Sequence, residues 1–161
     1  MRIVNVRIDE RLIHGQVVTL WTNQLGITNI LVIDDDVAED DIQKSILEMA
    51  TPPGIKLFVF SVADAVVKLD DKFIDDRIFV IFKNPHSVLE FLRQGGYISE
   101  LNVGNISHKK DSKRILKSVS LTKEEVRIFK QINNYDVRII AQMVPNDKQT
   151  NFMNLINEVS F

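Results

Sequence analysis

Arg7-Ile8-Asp9-Glu10-Arg11-Leu12-Ile13-His14-Gly15-Gln16 separates two stretches of different periodicity. Before it, Arg2-Ile3-Val4-Asn5-Val6 alternates with β-branched residues and reads as a strand. After it, Val17-Val18-Thr19-Leu20-Trp21 reads as the buried face of a helix. The decapeptide is therefore expected to be a strand-to-helix loop holding one imidazole, two guanidinium groups and two carboxylates. Gly15 lets the backbone turn tightly or approach a ligand. A helix starting beside it would aim free N–H groups at whatever sits on His14, and helix N-termini attract anions. Taken as residue types, these groups suit an ordinary solvated loop. Their place at a strand's carboxyl end, where open α/β sheets bind ligands, points to a phosphoryl site.

Working outward, strand and helix alternate along the chain. Strands are expected at Ile30–Ile33, Lys56–Phe60, Arg77–Phe82, within Glu100–Val103, and at Val137–Ala141. Helices are expected at Val37–Ala50, Val62–Leu69 with Ser61 as cap, Pro85–Arg93, Lys123–Asn133 with a Thr122/Glu125 capping box, and Lys148–Val159. Lys68–Asp76 reads as a charged connection, and Ile106–Val119 as a basic loop with a short strand near Ile115–Ser118. This alternation implies an α/β fold: an open, mainly parallel sheet with helices on both faces. The 161 residues suit one domain spanning 1–161.

Composition narrows the functional classes. There is no cysteine, which excludes disulfides and thiolate chemistry. The formal charge of −2 argues against a general nucleic-acid binder. No apolar run approaches the ~18 residues of a membrane span, and the chain opens directly into a strand, so a cytoplasmic protein is expected. The three histidines lie far apart, and no metal or other cofactor is expected. His86 and His108 read as surface side chains, and Trp21 as core. Asp34-Asp35-Asp36 could ligate Mg²⁺, but capping of the following helix is the simpler reading. A phosphate-receiver domain would carry a carboxylate after the third strand, where Val59-Phe60-Ser61 has none. There is no Gly-rich nucleotide fingerprint. Asn102-Val103-Gly104-Asn105 is either a plain turn or a second wall of the His14 pocket.

Arg7–Val17, followed by Trp21, Val32-Ile33-Asp34-Asp35-Asp36-Val37-Ala38, Ala50-Thr51-Pro52-Pro53-Gly54, Asn102-Val103-Gly104 and Val144-Pro145, resembles the IIB component of the bacterial sugar phosphotransferase system, mannose/fructose/sorbose family. The resemblance implies that His14 accepts a phosphoryl group, through Nδ1, from a phosphohistidine of the IIA component. It then passes the group to a sugar carried by the membrane components IIC and IID, to which the protein attaches at the inner face of the membrane. It further implies that Arg11 steadies the phosphoryl group and that Asp9 is its acidic neighbour. Backbone at Gly15 and Gln16 would bind the phosphoryl oxygens, and Asp35, Lys83, Asn102, Gly104 and Asn105 are candidate rim residues. Since one group enters and leaves through His14, both partners should dock on one face, with Arg7, Glu10, Asp35, Lys83 and Asn105 around it. The chain departs from the family pattern at Glu10, where Asp is common, at Asn105, where a second Gly is common, and at Asn134-Tyr135, where a Gly is usual. A histidine phosphatase or mutase is the competing enzyme class, but it places Arg directly before its His, where Ile13 stands here. A non-catalytic module that binds phospho-ligands is the third reading.

The chemistry is coherent. A neutral imidazole is a competent nucleophile near pH 7 and remains a good leaving group once phosphorylated. Phosphoryl transfer chiefly demands positioning and charge stabilisation.

Overall fold

The computed structural model describes residues 2–69 and 76–161. Strand β1 (Arg2–Asp9) leads into helix α1 (Gly15–Leu25), followed by β2 (Asn29–Ile33), α2 (Asp35–Ala38), α3 (Asp41–Ala50), β3 (Lys56–Phe60) and α4 (Val62–Lys68). Then come β4 (Arg77–Phe82), α5 (Pro85–Arg93), β5 (Glu100–Asn105), β6 (Lys113–Leu116), β7 (Val119–Leu121), α6 (Lys123–Asn133), β8 (Arg138–Ala141), β9 (Thr150–Asn151) and α7 (Phe152–Asn157). The main sheet has the order β3-β2-β4-β1-β5-β8-β9. Its pairings are parallel except β8 with β9.

Helices cover both faces of the sheet, as the alternation predicts. On one face Val18 and Trp21 of α1, Val37 and Leu47 pack on Ile30, Val32, Phe79 and Ile81. On the other, α4 to α7 pack on Val6, Ile8, Leu31, Val80, Val103 and Ile139. The central strands are apolar on both sides because both are covered.

Four expectations change. The strand before the decapeptide runs on through Arg7, Ile8 and Asp9, so the loop is shorter than expected. The helix expected at Val37–Ala50 is two helices, because Asp34 accepts from the Val37 N–H and Asp40 from the Gln43 N–H. Each carboxylate starts its own helix, and the Asp34 cap agrees with the simpler reading of the Asp triplet. The expected basic loop folds into the antiparallel β6–β7 hairpin, with Lys113 paired to Leu121. The last helix is shortened to α7, because Thr150 and Asn151 pair with β8 and Asn151 then caps the helix. The charged connection Lys68–Asp76 lies mostly outside the described residues.

The sheet has a topological switch at the carboxyl ends of β1 and β5. From β1 the chain returns through α1 to β2 on one side, and from β5 it moves through the hairpin and α6 to β8 on the other. The crevice between such diverging connections is where open α/β sheets bind ligands. The loop from Glu10 to His14 lies there.

Candidate functional site

His14 is the N-cap of α1, in extended conformation (φ −143°, ψ 120°), and its side chain makes no capping bond. It is exposed, and among the described residues its imidazole has no hydrogen-bond partner. The N–H groups of Gly15, Gln16 and Val17 open the helix and have no acceptor within it. Gly15 sits at φ +54°, a conformation that glycine adopts without strain. An exposed imidazole thus borders a positively polarised helix end, an arrangement suited to an anion.

The loop is held from below. The Leu12 N–H donates to the Asp9 carbonyl at 3.0 Å, closing a tight turn. Leu12 itself sits at φ +59°, unusual for a branched side chain, and is kept there by burial with Ile13, Val18 and Trp21. Asp9 is buried and organises both arginines. Its Oδ1 accepts from the Arg11 backbone N–H at 3.0 Å and from Arg11 Nε at 3.2 Å, and its Oδ2 accepts from Arg11 Nη2 at 3.3 Å. The Nε–Nη2 edge of Arg11 is therefore committed to Asp9, while the Nη1–Nη2 edge remains for a ligand. The Arg11 side chain is 36% exposed against 4% for Asp9, so the charge at the surface is positive.

Arg7, expected on the exposed rim, is only 1% exposed. Its Nε lies 3.5 Å from Asp9 Oδ2, and its Nη1 donates to the carbonyls of Gln142 (3.1 Å) and Met143 (3.3 Å). Burial lowers the pKa of its guanidinium, Asp9 pushes it back up, and Arg11 lowers it; an arginine stays charged throughout. The Arg7 head crosses β5 at Gly104, where a Cβ would lie 2.2 Å from Arg7 Cζ. Trp21 Nε1–H donates to the same Met143 carbonyl at 3.0 Å. One carbonyl beyond β8 thus ties together β1, which carries Asp9, and α1, which starts at His14. Sequence reasoning missed this role for Arg7, Gln142 and Met143. The available signal was the pair Arg7 and Asp9, two positions apart and hence on one face of a strand.

The remaining rim candidates divide. Asn102 is buried, exchanging hydrogen bonds with the backbone of Gln142 at 2.9 Å in both directions, and Gly104 is buried under Arg7. Both therefore serve the framework of β5: Asn102 fixes the backbone of Gln142 and Gly104 makes room for the Arg7 head. Asp35 is exposed, but its Oδ1 accepts from the Val62 N–H at 2.8 Å, which anchors the end of β2 to α4. Lys83 is half-buried at the end of β4. Asn105 is half-buried, its carbonyl accepting from the Glu10 N–H at 3.1 Å while its Oδ1 is unpartnered. Glu10 accepts from the Ser107 N–H at 2.9 Å and from Lys109 Nζ at 3.4 Å. His86 and His108 are exposed as expected, and His108 Nδ1 contacts Ser112 Oγ at 3.1 Å. The turn after α6 takes its left-handed residue at Asp136 (φ +59°), one of the few non-glycine residue types that tolerates it.

The architecture is that of the phosphotransferase-system IIB proteins. The crystal structure of the IIBSor domain of the sorbose permease from Klebsiella pneumoniae superposes with a TM-score of 0.92 at 36% identity, covering 100% of this chain and 99% of that one. The family model for the PTS system sorbose subfamily IIB component matches residues 3–161, and this chain belongs to that family. The sorbose-specific EIIB component of Klebsiella pneumoniae is 36% identical over 100% of this chain and 99% of that protein. The mannose-specific EIIAB component of Escherichia coli K12 is 32% identical, covering 95% of this chain and 48% of that protein. The chain is accordingly a phosphocarrier subunit of a sugar-transporting phosphotransferase system and a transferase, not a histidine phosphatase or mutase. No helix among the described residues is long and apolar enough to cross a membrane.

Proposed function

We propose that residues 1–161 act as one IIB unit in which His14 is the phosphoryl acceptor. A ring nitrogen of His14 attacks the phosphorus of a phosphohistidine on IIA, a P–N bond forms on His14, and the P–N bond on the donor breaks. In the second step a sugar hydroxyl attacks the same phosphorus and His14 leaves. The observation that carries this reading is the free imidazole at the N-terminus of α1. The N–H groups there and the outer edge of Arg11 supply fixed positive charge for the phosphoryl oxygens. Asp9 orients Arg11 and does not touch the phosphoryl group. The exposure of His14 suits a group that must meet two partners in turn.

The same reading places the protein in the cytoplasm, at the inner face of the membrane when engaged with IIC and IID. Both partners approach the carboxyl end of β1, near Glu10, Lys83 and Asn105. Mixing the protein with phosphorylated IIA tests it: label should move to this chain in an acid-labile, alkali-stable linkage. Binding without transfer would instead indicate a phospho-ligand module.

Arg11→Lys separates the two tasks of the guanidinium. A single ammonium cannot hold Asp9 along one edge and a phosphoryl group along another. The fold should persist, because Arg11 is more than a third exposed. Transfer in single-turnover mixing should slow about tenfold or more, equivalent to about 1.4 kcal/mol in the barrier. An unchanged rate would reduce Arg11 to a surface charge.

A further inference from the structure

The chain as a whole carries net charge −2, but its charges are unevenly distributed. Residues 108–130 hold eight Lys/Arg against three Asp/Glu, a net +5, while the rest holds twelve against nineteen, a net −7. All eight cations are exposed: Lys109, Lys110, Lys113, Arg114, Lys117, Lys123, Arg127 and Lys130. They lie on the loop before β6, on the β6–β7 hairpin and on α6. Arg114 and Lys117 line one side of the β6–β7 hairpin with His108, in a cleft of about 560 Å³. On the other side Lys123, Arg127 and Lys130 line a second cleft with Val126, Val159 and Phe161. Lys113 joins the two, its Nζ lying 5.0 Å from the centroid of the Phe161 ring and donating to the Ser160 carbonyl. Internal carboxylates neutralise little of this. Arg127 pairs with Glu124, and Lys109 with Glu10 and Glu125, while among the described residues Lys110, Lys117, Lys123 and Lys130 have no ion pair.

We propose that this basic hairpin-and-helix surface docks on anionic phospholipid headgroups. Two features favour a bilayer over an acidic protein face. The patch is spread over a hairpin and a helix, and six of its eight cations are lysines. Lysine is a flexible point charge suited to a fluid anionic plane, whereas a fixed carboxylate partner favours the planar fork of arginine. The patch is also bordered by half-exposed apolar groups, Phe161 and Val159, as interfacial surfaces are. Its position gives the contact a use. Lys109 bridges the patch to Glu10 in the His14 loop, at 3.4 Å, so a membrane held against the patch lies beside the transfer site. That use rests on the phosphocarrier reading; the lipid contact does not.

The test is co-sedimentation of the full chain, unphosphorylated and without IIA. One vesicle preparation is phosphatidylglycerol mixed with phosphatidylethanolamine, and the other is pure phosphatidylcholine. Binding should occur on the first only, and should fall about tenfold between about 50 mM and about 500 mM salt as the Debye length shrinks. The triple variant Lys113→Glu/Arg114→Glu/Lys117→Glu should lose about tenfold or more in binding. Lys110→Glu/Lys123→Glu/Lys130→Glu, which leaves β6 untouched, should do the same and guards against hairpin misfolding. Both variants should take up label from phosphorylated IIA in solution at the normal rate. Equal binding to the two vesicle types, or no binding at low salt, would overturn the proposal. Loss of uptake from IIA in a folded variant would overturn it as well, by assigning the patch to the protein donor.

Discussion

His14→Ala takes up no label from phosphorylated IIA, while His86→Ala and His108→Ala take it up as the parent does. This is the largest effect expected of any single substitution, because it removes the acceptor atom. The variant is also well suited to interpretation. The His14 side chain makes no capping bond and no other hydrogen bond among the described residues, so its removal should change stability by less than about 0.5 kcal/mol. The backbone at residue 14 is extended, a conformation open to alanine. A thermal melt coinciding with the parent's, together with absent labelling, isolates the chemistry from the fold. Normal labelling of a folded His14→Ala protein would move the acceptor elsewhere. His108 would then be the next candidate, since its ring nitrogen already has a hydroxyl neighbour in Ser112.

The route from sequence to this site was direct where side-chain pattern controls structure. The alternation before Arg7, the helical run after Gly15 and the glycine between them mark strand, turn and helix. The family resemblance, which rests on the same residues, agrees with the family model. The pattern failed where backbone partners decide. Arg7 and Asp9 look like loop residues because charged side chains are rarely buried. They belong to β1 because they neutralise one another and because carbonyls of residues 142 and 143 accept from Arg7. Carbonyl acceptors have no signature in sequence. The break between α2 and α3 was hidden for another reason: apolar spacing continues across it, and only the caps at Asp34 and Asp40 mark two starts. Gly104 reads as a turn glycine, yet it lies within β5 and its lack of a side chain admits the Arg7 head.

The buried arginine carries the second large prediction. Arg7→Met keeps the length and apolar stem of the side chain but removes the charge. The Met143 and Gln142 carbonyls then each lose a donor, and Asp9 loses one of its two cations in a buried setting. Removing one partner of a buried ion pair costs about 3–5 kcal/mol. In a chain of this size that corresponds to a fall in Tm of about 10 °C, measurable by calorimetry. Gly104→Ala should cost a comparable amount by a different route. Its new Cβ would lie 2.2 Å from Arg7 Cζ, and that head cannot swing away while Asp9 and the 142–143 carbonyls hold it. The double variant Arg7→Met/Gly104→Ala distinguishes the cause. If Gly104 is glycine because of the guanidinium, deleting the guanidinium makes room for the methyl, and the two costs should fall short of adding by about 1 kcal/mol or more. Simple additivity would mean that each residue acts alone. A cost below about 1 kcal/mol for Arg7→Met would mean that the buried network does not hold the loop. Transfer should also slow in Arg7→Met at temperatures where it remains folded, because Asp9 is then less firmly placed to present Arg11 beside His14.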